Sequence, residues 1–351
     1  MDASIPNWLQ WVFGVLSLIA ALGYIAEKVP RLKAYFSTPS EGAVTRTRAD
    51  YLSGGFLSLL CAAIWAASFA SLNLVTPTVG TLAINIHLMG FAALSLFLGS
   101  QIAGRFETKG TPAQRPSVES GRLALLVVAN LGNFVLSVLA LSFISASEAM
   151  TLTNLSPLFL AFALWYRGKL SPSAGTFLAL VLVLLGAFLL NVDPGFVLRT
   201  GTAITGSLVA VAAGASFALW TFTMDELKNA FETKSERMRT LALVFFISYV
   251  VLLTYSFFFT PAPPRLSTTD YAVLILNGLR VAVVHVLYVL AVKKAGPLLA
   301  SVVVVLMVPM TFPFDRMWNN ATISTQLVLG SLLIVLAAVG LLSDELRRAK
   351  A

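Results

Sequence analysis

The sequence predicts an all-α integral membrane protein of about eleven transmembrane helices, ten of them forming a 5+5 inverted repeat behind one extra N-terminal helix. Three observations lead there. Of 351 residues, 58% are hydrophobic and 11% charged, with mean hydropathy +0.85, a composition that excludes a soluble globular domain. Eleven stretches reach the roughly 20 apolar residues needed to cross the hydrocarbon core. The basic residues between them fall in alternate connectors, as the positive-inside rule requires of a polytopic chain.

The first span, 7–26, has no Lys or Arg ahead of it, whereas Lys28, Arg31 and Lys33 follow it. That order is the reverse of a secretory leader and predicts a retained anchor with its N-terminus outside. Residues 1–52 then comprise this anchor and a basic cytoplasmic loop. Spans two to six, at 53–72, 80–99, 123–143, 146–166 and 174–192, fill a first five-helix unit over 53–192. Spans seven to eleven, at 202–224, 239–260, 270–292, 296–314 and 326–343, fill a second over 202–343, and a basic cytoplasmic tail occupies 344–351. No remaining segment is long enough to hold a soluble core of its own. Cys61 is the single cysteine and lies within a span, so no intramolecular disulfide can form.

Charge counting orients the chain. The connectors after spans one, three, five, seven and nine, with the tail, carry 20 Lys and Arg. The opposite side carries only Arg199, Arg265 and Arg316, and Arg280 lies inside a span. The C-terminus is therefore predicted inside the cell, in the inner or plasma membrane. Basic residues scattered among short connectors are not the one-faced footprint of a nucleic-acid binder, so no nucleic-acid partner is expected.

Shifting the chain by 151 residues lays Gly55–Ala63 on Gly206–Gly214, and a shift of 152 lays Pro157 on Pro309 and Asn133 on His285. Two nearly equal offsets from separate regions point to an internal duplication. Five spans per copy force the second copy to enter the membrane upside down.

The stretch Leu139-Ala140-Leu141-Ser142-Phe143-Ile144-Ser145-Ala146-Ser147-Glu148-Ala149, running on to Leu155-Ser156-Pro157-Leu158-Phe159, resembles the fourth-helix signature of EamA-like proteins of the drug/metabolite transporter superfamily. Leu170-Ser171-Pro172 and Leu184-Leu185-Gly186-Ala187 follow at suitable spacing. The second copy is looser, with Ala295-Gly296-Pro297, Val308-Pro309 and Leu329-Gly330-Ser331. The family often carries a Gly-Glu-Arg-like turn after helix four, where this chain reads Arg167-Gly168-Lys169 without the acid, and span one is extra to the usual ten. The resemblance implies a secondary carrier that moves a small metabolite, in the export direction, by alternating access.

Candidate substrate-binding residues follow from the cost of polar groups in lipid. Arg280 is placed near the membrane midplane, with Asn277 and Tyr288 on its helical face and His285 at the border. A guanidinium there could grip a carboxylate, which argues for an anionic or zwitterionic substrate such as an amino acid or organic acid, or it could serve a buried structural pair. His285 and His87, the only histidines, could bind substrate, relay a proton or join helices. Asn85, Asn130, Asn133, Thr151, Asn154 and Ser156, with Trp65 and Trp220 at pseudo-equivalent places, suggest a shared polar cavity, though each could equally hold the bundle together. Pro157 and Pro309 are expected to kink their helices, as packing bends or as rocking hinges. Ser145 and Glu148 have the spacing of a helix-capping box.

No cofactor or metal is expected, since two distant histidines without a Cys cluster or HExxH make no metal set. No nucleophile elbow or paired mid-depth acids argue for an enzyme. The expected partners are a small-molecule substrate and the lipid bilayer, with a dimer compatible but not required. The rival is a structural or regulatory membrane subunit of the same fold. The charge bias makes one direct prediction: a C-terminal green fluorescent protein fusion should fluoresce, and the same position fused to alkaline phosphatase should be inactive; the opposite pattern would overturn the orientation.

Overall fold

The computed structural model describes residues 47–106, 120–169, 174–190, 201–227, 233–259, 266–320 and 322–348. Among them lie twelve helices and no strand: α1 (Arg48–Val79), α2 (Thr81–Phe106), α3 (Ser120–Ala140), α4 (Ala146–Thr153), α5 (Ser156–Tyr166), α6 (Ala174–Leu190), α7 (Thr202–Leu227), α8 (Lys234–Phe259), α9 (Thr268–Ala295), α10 (Pro297–Val304), α11 (Met307–Asn319) and α12 (Thr325–Arg348). The predicted span at 7–26, the basic loop before Thr47 and most of the connector bearing Lys109 and Arg115 lie outside the described residues. Eight helices or helix pairs are long and apolar enough to cross a membrane; α6 and α12 contribute shorter apolar stretches, Phe177–Gly186 and Thr325–Ala337.

Local sequence sets the ends. Thr47 with Asp50, Ser145 with Glu148 and Ser267 with Asp270 each form a reciprocal capping box at the start of α1, α4 and α9, which satisfies amide groups that have no partner within the helix. Gly80 (φ 77°) and Gly296 (φ 90°) let the chain leave α1 and α9 in a conformation that side chains disfavour and enter α2 and α10 at once.

Two expected continuous spans are broken. The span at 146–166 is divided by Asn154 and Leu155 into α4 and α5, and the one at 296–314 by Val305 and Leu306 into α10 and α11. Pro157 sits in the first turn of α5 rather than within a kinked helix, because the proline has no N–H to offer the carbonyl of Thr153. Pro309 likewise falls in the first turn of α11, while Pro313 lies inside that helix. α5 begins at Ser156 and α11 at Met307, 151 residues later.

The helices pack in matched pairs: α1 on α9 and α3 on α7, α2 on α8, and α6 on α12. α2 and α8 run antiparallel, since Gly90 faces Tyr249, Gly99 faces Met238 and Gly104 faces Ser235. Glycines permit the close crossings. A Cβ on Gly186 of α6 would stand 2.6 Å from the Gly330 carbonyl of α12, and one on Gly214 of α7 would stand 2.5 Å from the Thr153 carbonyl that Pro157 leaves without its helical donor. Small residues at helix crossings are how backbones approach in a bilayer, where burial of apolar surface supplies no drive.

The Gly214 contact is with backbone, so it cannot yield by a change of rotamer. Gly214→Val should therefore destabilise the purified protein by about 1–3 kcal/mol, read as a lowered melting temperature in detergent, whereas Gly55→Ala, where an added Cβ meets nothing within 4 Å, should leave it unchanged.

Candidate functional site

The two helix breaks converge on the centre of the bundle. A small cavity of about 20 Å³ lies there, lined by Met150, Thr153, Asn154 and Ser156 at the first break and by Met307 at the second. Trp65 and Phe69 of α1, Asn133 of α3 and Phe217 of α7 complete its wall. At a break the C-terminal carbonyls of one short helix and the N-terminal amides of the next lack intrahelical partners. Here the Asn154 backbone and side-chain nitrogens both donate to the Met150 carbonyl, at 3.0 and 2.7 Å, and the Thr153 hydroxyl donates to the Ala210 carbonyl of α7 at 3.3 Å. The lining is thus amide, hydroxyl, thioether and aromatic, with no charged side chain.

Behind Trp65 and Phe217 stands an aromatic cluster. The His285 ring lies 5.9 Å from Trp65, 5.5 Å from Phe134, 5.1 Å from Trp220 and 4.9 Å from Phe245. Its Nδ1–H donates to the Val281 carbonyl at 2.8 Å. Tyr288 shares a hydrogen bond with Thr221 at 3.2 Å, and the buried Trp220 indole N–H has no hydrogen-bond partner.

The expected α9 face therefore separates into two places. His285 and Tyr288 join the aromatic wall, but Asn277 and Arg280 turn to α1, where the Asn277 amide donates to Ser71 Oγ at 3.0 Å and the Arg280 guanidinium to the same oxygen at 3.3 Å. Arg280 does not line the central cavity, contrary to the expectation that its guanidinium points into a shared chamber. It sits at the edge between the buried and outward faces of α9, and its long side chain reaches sideways to the hydroxyl. The other predicted residues divide likewise. Asn130 donates to Ser248 Oγ of α8 at 3.1 Å and lies 3.4 Å from Met89 Sδ of α2, so it ties three helices. Asn85 donates back to the Thr81 carbonyl, and His87 lies on the outer side of α2 against Tyr271 and Phe91. Of the predicted set, Trp65, Asn133, Asn154 and Ser156 meet at the cavity.

Beyond the cavity lining, polar contacts that sequence reasoning missed tie the two ends of the broken α4–α5 span to the second half of the chain. At one end Asp315 of α11, fully buried, accepts from the Ser147 N–H at 2.9 Å and hydroxyl at 2.7 Å, and from Asn319 at 2.8 Å. The predicted span ends at 314, one residue short of Asp315; the helix continues to Asn319, and the carboxylate binds the start of α4. At the other end Arg167 pairs with Glu226 at 3.2 Å, and Lys169 with Glu226 at 3.3 Å and Asp225 at 3.6 Å.

With this geometry in view, comparison with known proteins places its first half. Residues 52–192 match the model of the EamA-like transporter family. The family lies within the drug/metabolite transporter superfamily, so the resemblance read from the fourth-helix signature holds for that segment. No curated protein matches the chain. A solved structure, titled only as a crystal structure of a protein, aligns over 85% of this chain and 98% of its own at 15% identity and a TM-score of 0.58, a likeness of fold alone. Within the EamA-like segment the signature covers the capped start of α4, the break and Pro157, and the missing acid of the turn after helix four has its counterpart in Asp225 and Glu226 of α7.

Asp315 makes a sharp test of the closure. Asp315→Ala leaves the buried Ser147 N–H and hydroxyl without their acceptor, so it should cost about 2–5 kcal/mol and lower the melting temperature clearly; Asp315→Asn, which keeps one acceptor oxygen, should cost less. Equal melting of both variants and wild type would mean that this contact contributes nothing to the closed form.

Proposed function

We propose that the chain is a secondary carrier of a small metabolite, working by alternating access between two inverted five-helix halves, α1–α6 and α7–α12. The observation that carries this reading is the pair of helix breaks, 151 residues apart, that meet at one cavity. Interrupted helices at membrane depth are tolerated only where they are buried in protein or line a polar cavity, and carriers use them to bind solute. Further support comes from the pairing of α1 with α9 against α3 with α7, which exchanges when the halves are swapped. The antiparallel course of α2 and α8, the second helices of the two halves, is what inversion requires.

The cavity as it stands, about 20 Å³, is too small for a metabolite, so entry of solute requires the halves to separate at one end or the other. Opening one end breaks Asp315 from Ser147; opening the other breaks the Arg167–Glu226 and Lys169–Asp225 pairs. Alternation needs these two closures to be worth similar amounts, and both are charge-assisted contacts in largely buried places. The directions of the charge bias put the Asp315 closure outside and the ion pairs inside. Export is the direction that the family resemblance implies.

The lining favours a zwitterion over a plain anion. Arg280 lies off the cavity, so its guanidinium lends no support to anion selectivity. Instead the C-terminal end of α4 and the N-terminal ends of α5 and α11 bring opposite helix dipoles to one place, where an ammonium and a carboxylate could each find a partner. Trp65 and Phe217 offer apolar surface to the rest of the molecule, which makes an amino acid the first substrate class to try.

The protein reconstituted in liposomes and preloaded with individual amino acids, organic acids, nucleosides or amines should accumulate the labelled form of its substrate by counterflow. Asn133→Leu with Asn154→Leu should reduce that flux at least tenfold, the loss of about one good hydrogen bond's worth of binding or more, with melting little changed. A cysteine pair at Ser147 and Asp315, in a Cys61→Ser background, bridged by a short reducible thiol cross-linker, should stop flux and release it on reduction. Folded protein with no counterflow for any solute would favour the non-transporting subunit.

A further inference from the structure

A second cavity, larger than the central one, lies away from it. It is a groove of about 830 Å³ between α2 and α8, with Ile86, Gly90 and Leu94 along one wall and Arg239, Leu243 and Tyr249 along the other. Several of its walls are among the most exposed apolar side chains of the protein, Leu94, Phe97, Leu243 and Phe246, so the groove opens sideways from the bundle. In a chain that spans the membrane this side meets hydrocarbon. The α2 wall from Ile86 to Phe97 runs roughly 16 Å at 1.5 Å per residue, close to the reach of one extended acyl chain. Gly90 keeps the floor open: an added Cβ there would lie 3.2 Å from the Tyr249 ring.

The groove is apolar along most of its length, with His87 near one end and the cationic Arg239 at the other. Because α2 and α8 are antiparallel, with Gly99 against Met238 and Gly104 against Ser235, Arg239 stands at the end where α2 finishes and α8 begins. Arg105 and Lys234 belong to that same end. Arg239 is exposed and has no ion-pair or hydrogen-bond partner among the described residues, although Glu236 lies three residues away on its own helix. An apolar trough of acyl-chain length ending in an unengaged guanidinium has the charge and shape pattern of a phospholipid with a negative headgroup.

We propose that the α2–α8 groove is a binding site for an anionic phospholipid, with one acyl chain along the trough and the phosphate held by Arg239. The guanidinium grips the headgroup oxygens while Arg105 and Lys234 add to the local positive potential, in the leaflet on the side of the basic connectors. A neutral zwitterionic lipid can fill the trough but gains less from the three cations. This inference concerns a face remote from the central cavity and holds whether or not the chain carries a solute.

The test uses the full chain purified in mild detergent and re-equilibrated with equal amounts of phosphatidylglycerol and phosphatidylcholine, with native mass spectrometry counting the lipids that remain bound. Wild type should retain phosphatidylglycerol in preference. Arg239→Gln should lower that preference about fivefold, the weight of one basic residue at a membrane surface, Arg239→Lys should restore most of it, and Arg316→Gln at the opposite end of the bundle should leave it alone. Leu94→Trp with Leu243→Trp, which fills the trough from exposed positions, should reduce retention of both lipids. An unchanged preference in Arg239→Gln, undiminished retention in the paired tryptophan variant, or a dimer of this chain that buries the groove would each overturn the proposal. Melting temperatures of the variants, expected to match wild type because the altered side chains are exposed, separate lost binding from lost fold.

Discussion

A membrane-spanning chain has to satisfy its backbone from within, and this one interrupts that rule twice. At Asn154–Leu155 and at Val305–Leu306 the helical ladder stops and restarts inside a span. Such a break is costly in hydrocarbon and tolerable only where protein surrounds it. The rest of the arrangement answers that constraint. α1 and α7 lie against the broken helices, and Gly214 lets α7 come close enough to press on the Thr153 carbonyl. Aromatic side chains from α1, α3, α7, α8 and α9 close the space behind, so that the polar backbone at the breaks is enclosed together with Asn133 and Asn154 and kept from lipid.

The same constraint explains where the charges went. Asp315 and Glu226 are acids near the ends of apolar helices, and both are drawn inward by donors that have few other partners there: the start of α4 in one case, the Arg167 and Lys169 side chains in the other. Each contact spans the two halves of the chain. Arg167 and Lys169 also lie over the Phe222 ring, at 5.7 and 5.5 Å, which adds a cation–π contribution to that closure. Polar contacts thus join the two halves of the chain at two places, the start of α4 and the end of α7.

The lipid-facing side has a different logic. α2 and α8 contribute much of the exposed apolar surface, and the groove between them ends at Arg239. His87, first considered for the centre, faces this outer side because its neighbours Ile84, Asn85 and Leu88 take the buried stripe of α2. The histidine at the centre is His285, and it is held there by four aromatic rings and a backbone carbonyl rather than by another polar side chain.

Hydrophobic length, the alternation of basic connectors and the 151-residue echo made the helical membrane class and most helix positions legible from the chain alone, because each depends on patterns along one strand of sequence. The fourth-helix signature likewise pointed to the family whose model matches residues 52–192. What no linear pattern could supply was which polar groups meet. Asn277 and Arg280 share a face with Tyr288 on paper, yet one pair reaches Ser71 and the other residue joins the aromatic wall, since a helix packed against several neighbours gives each part of its face a different partner. Pro157 and Pro309 marked the right places, but only packing decided that the helices would break there instead of bending. Asp315 stayed hidden because an acid beyond an apolar run reads as a loop, and its burial depends on a helix start 168 residues earlier in the chain.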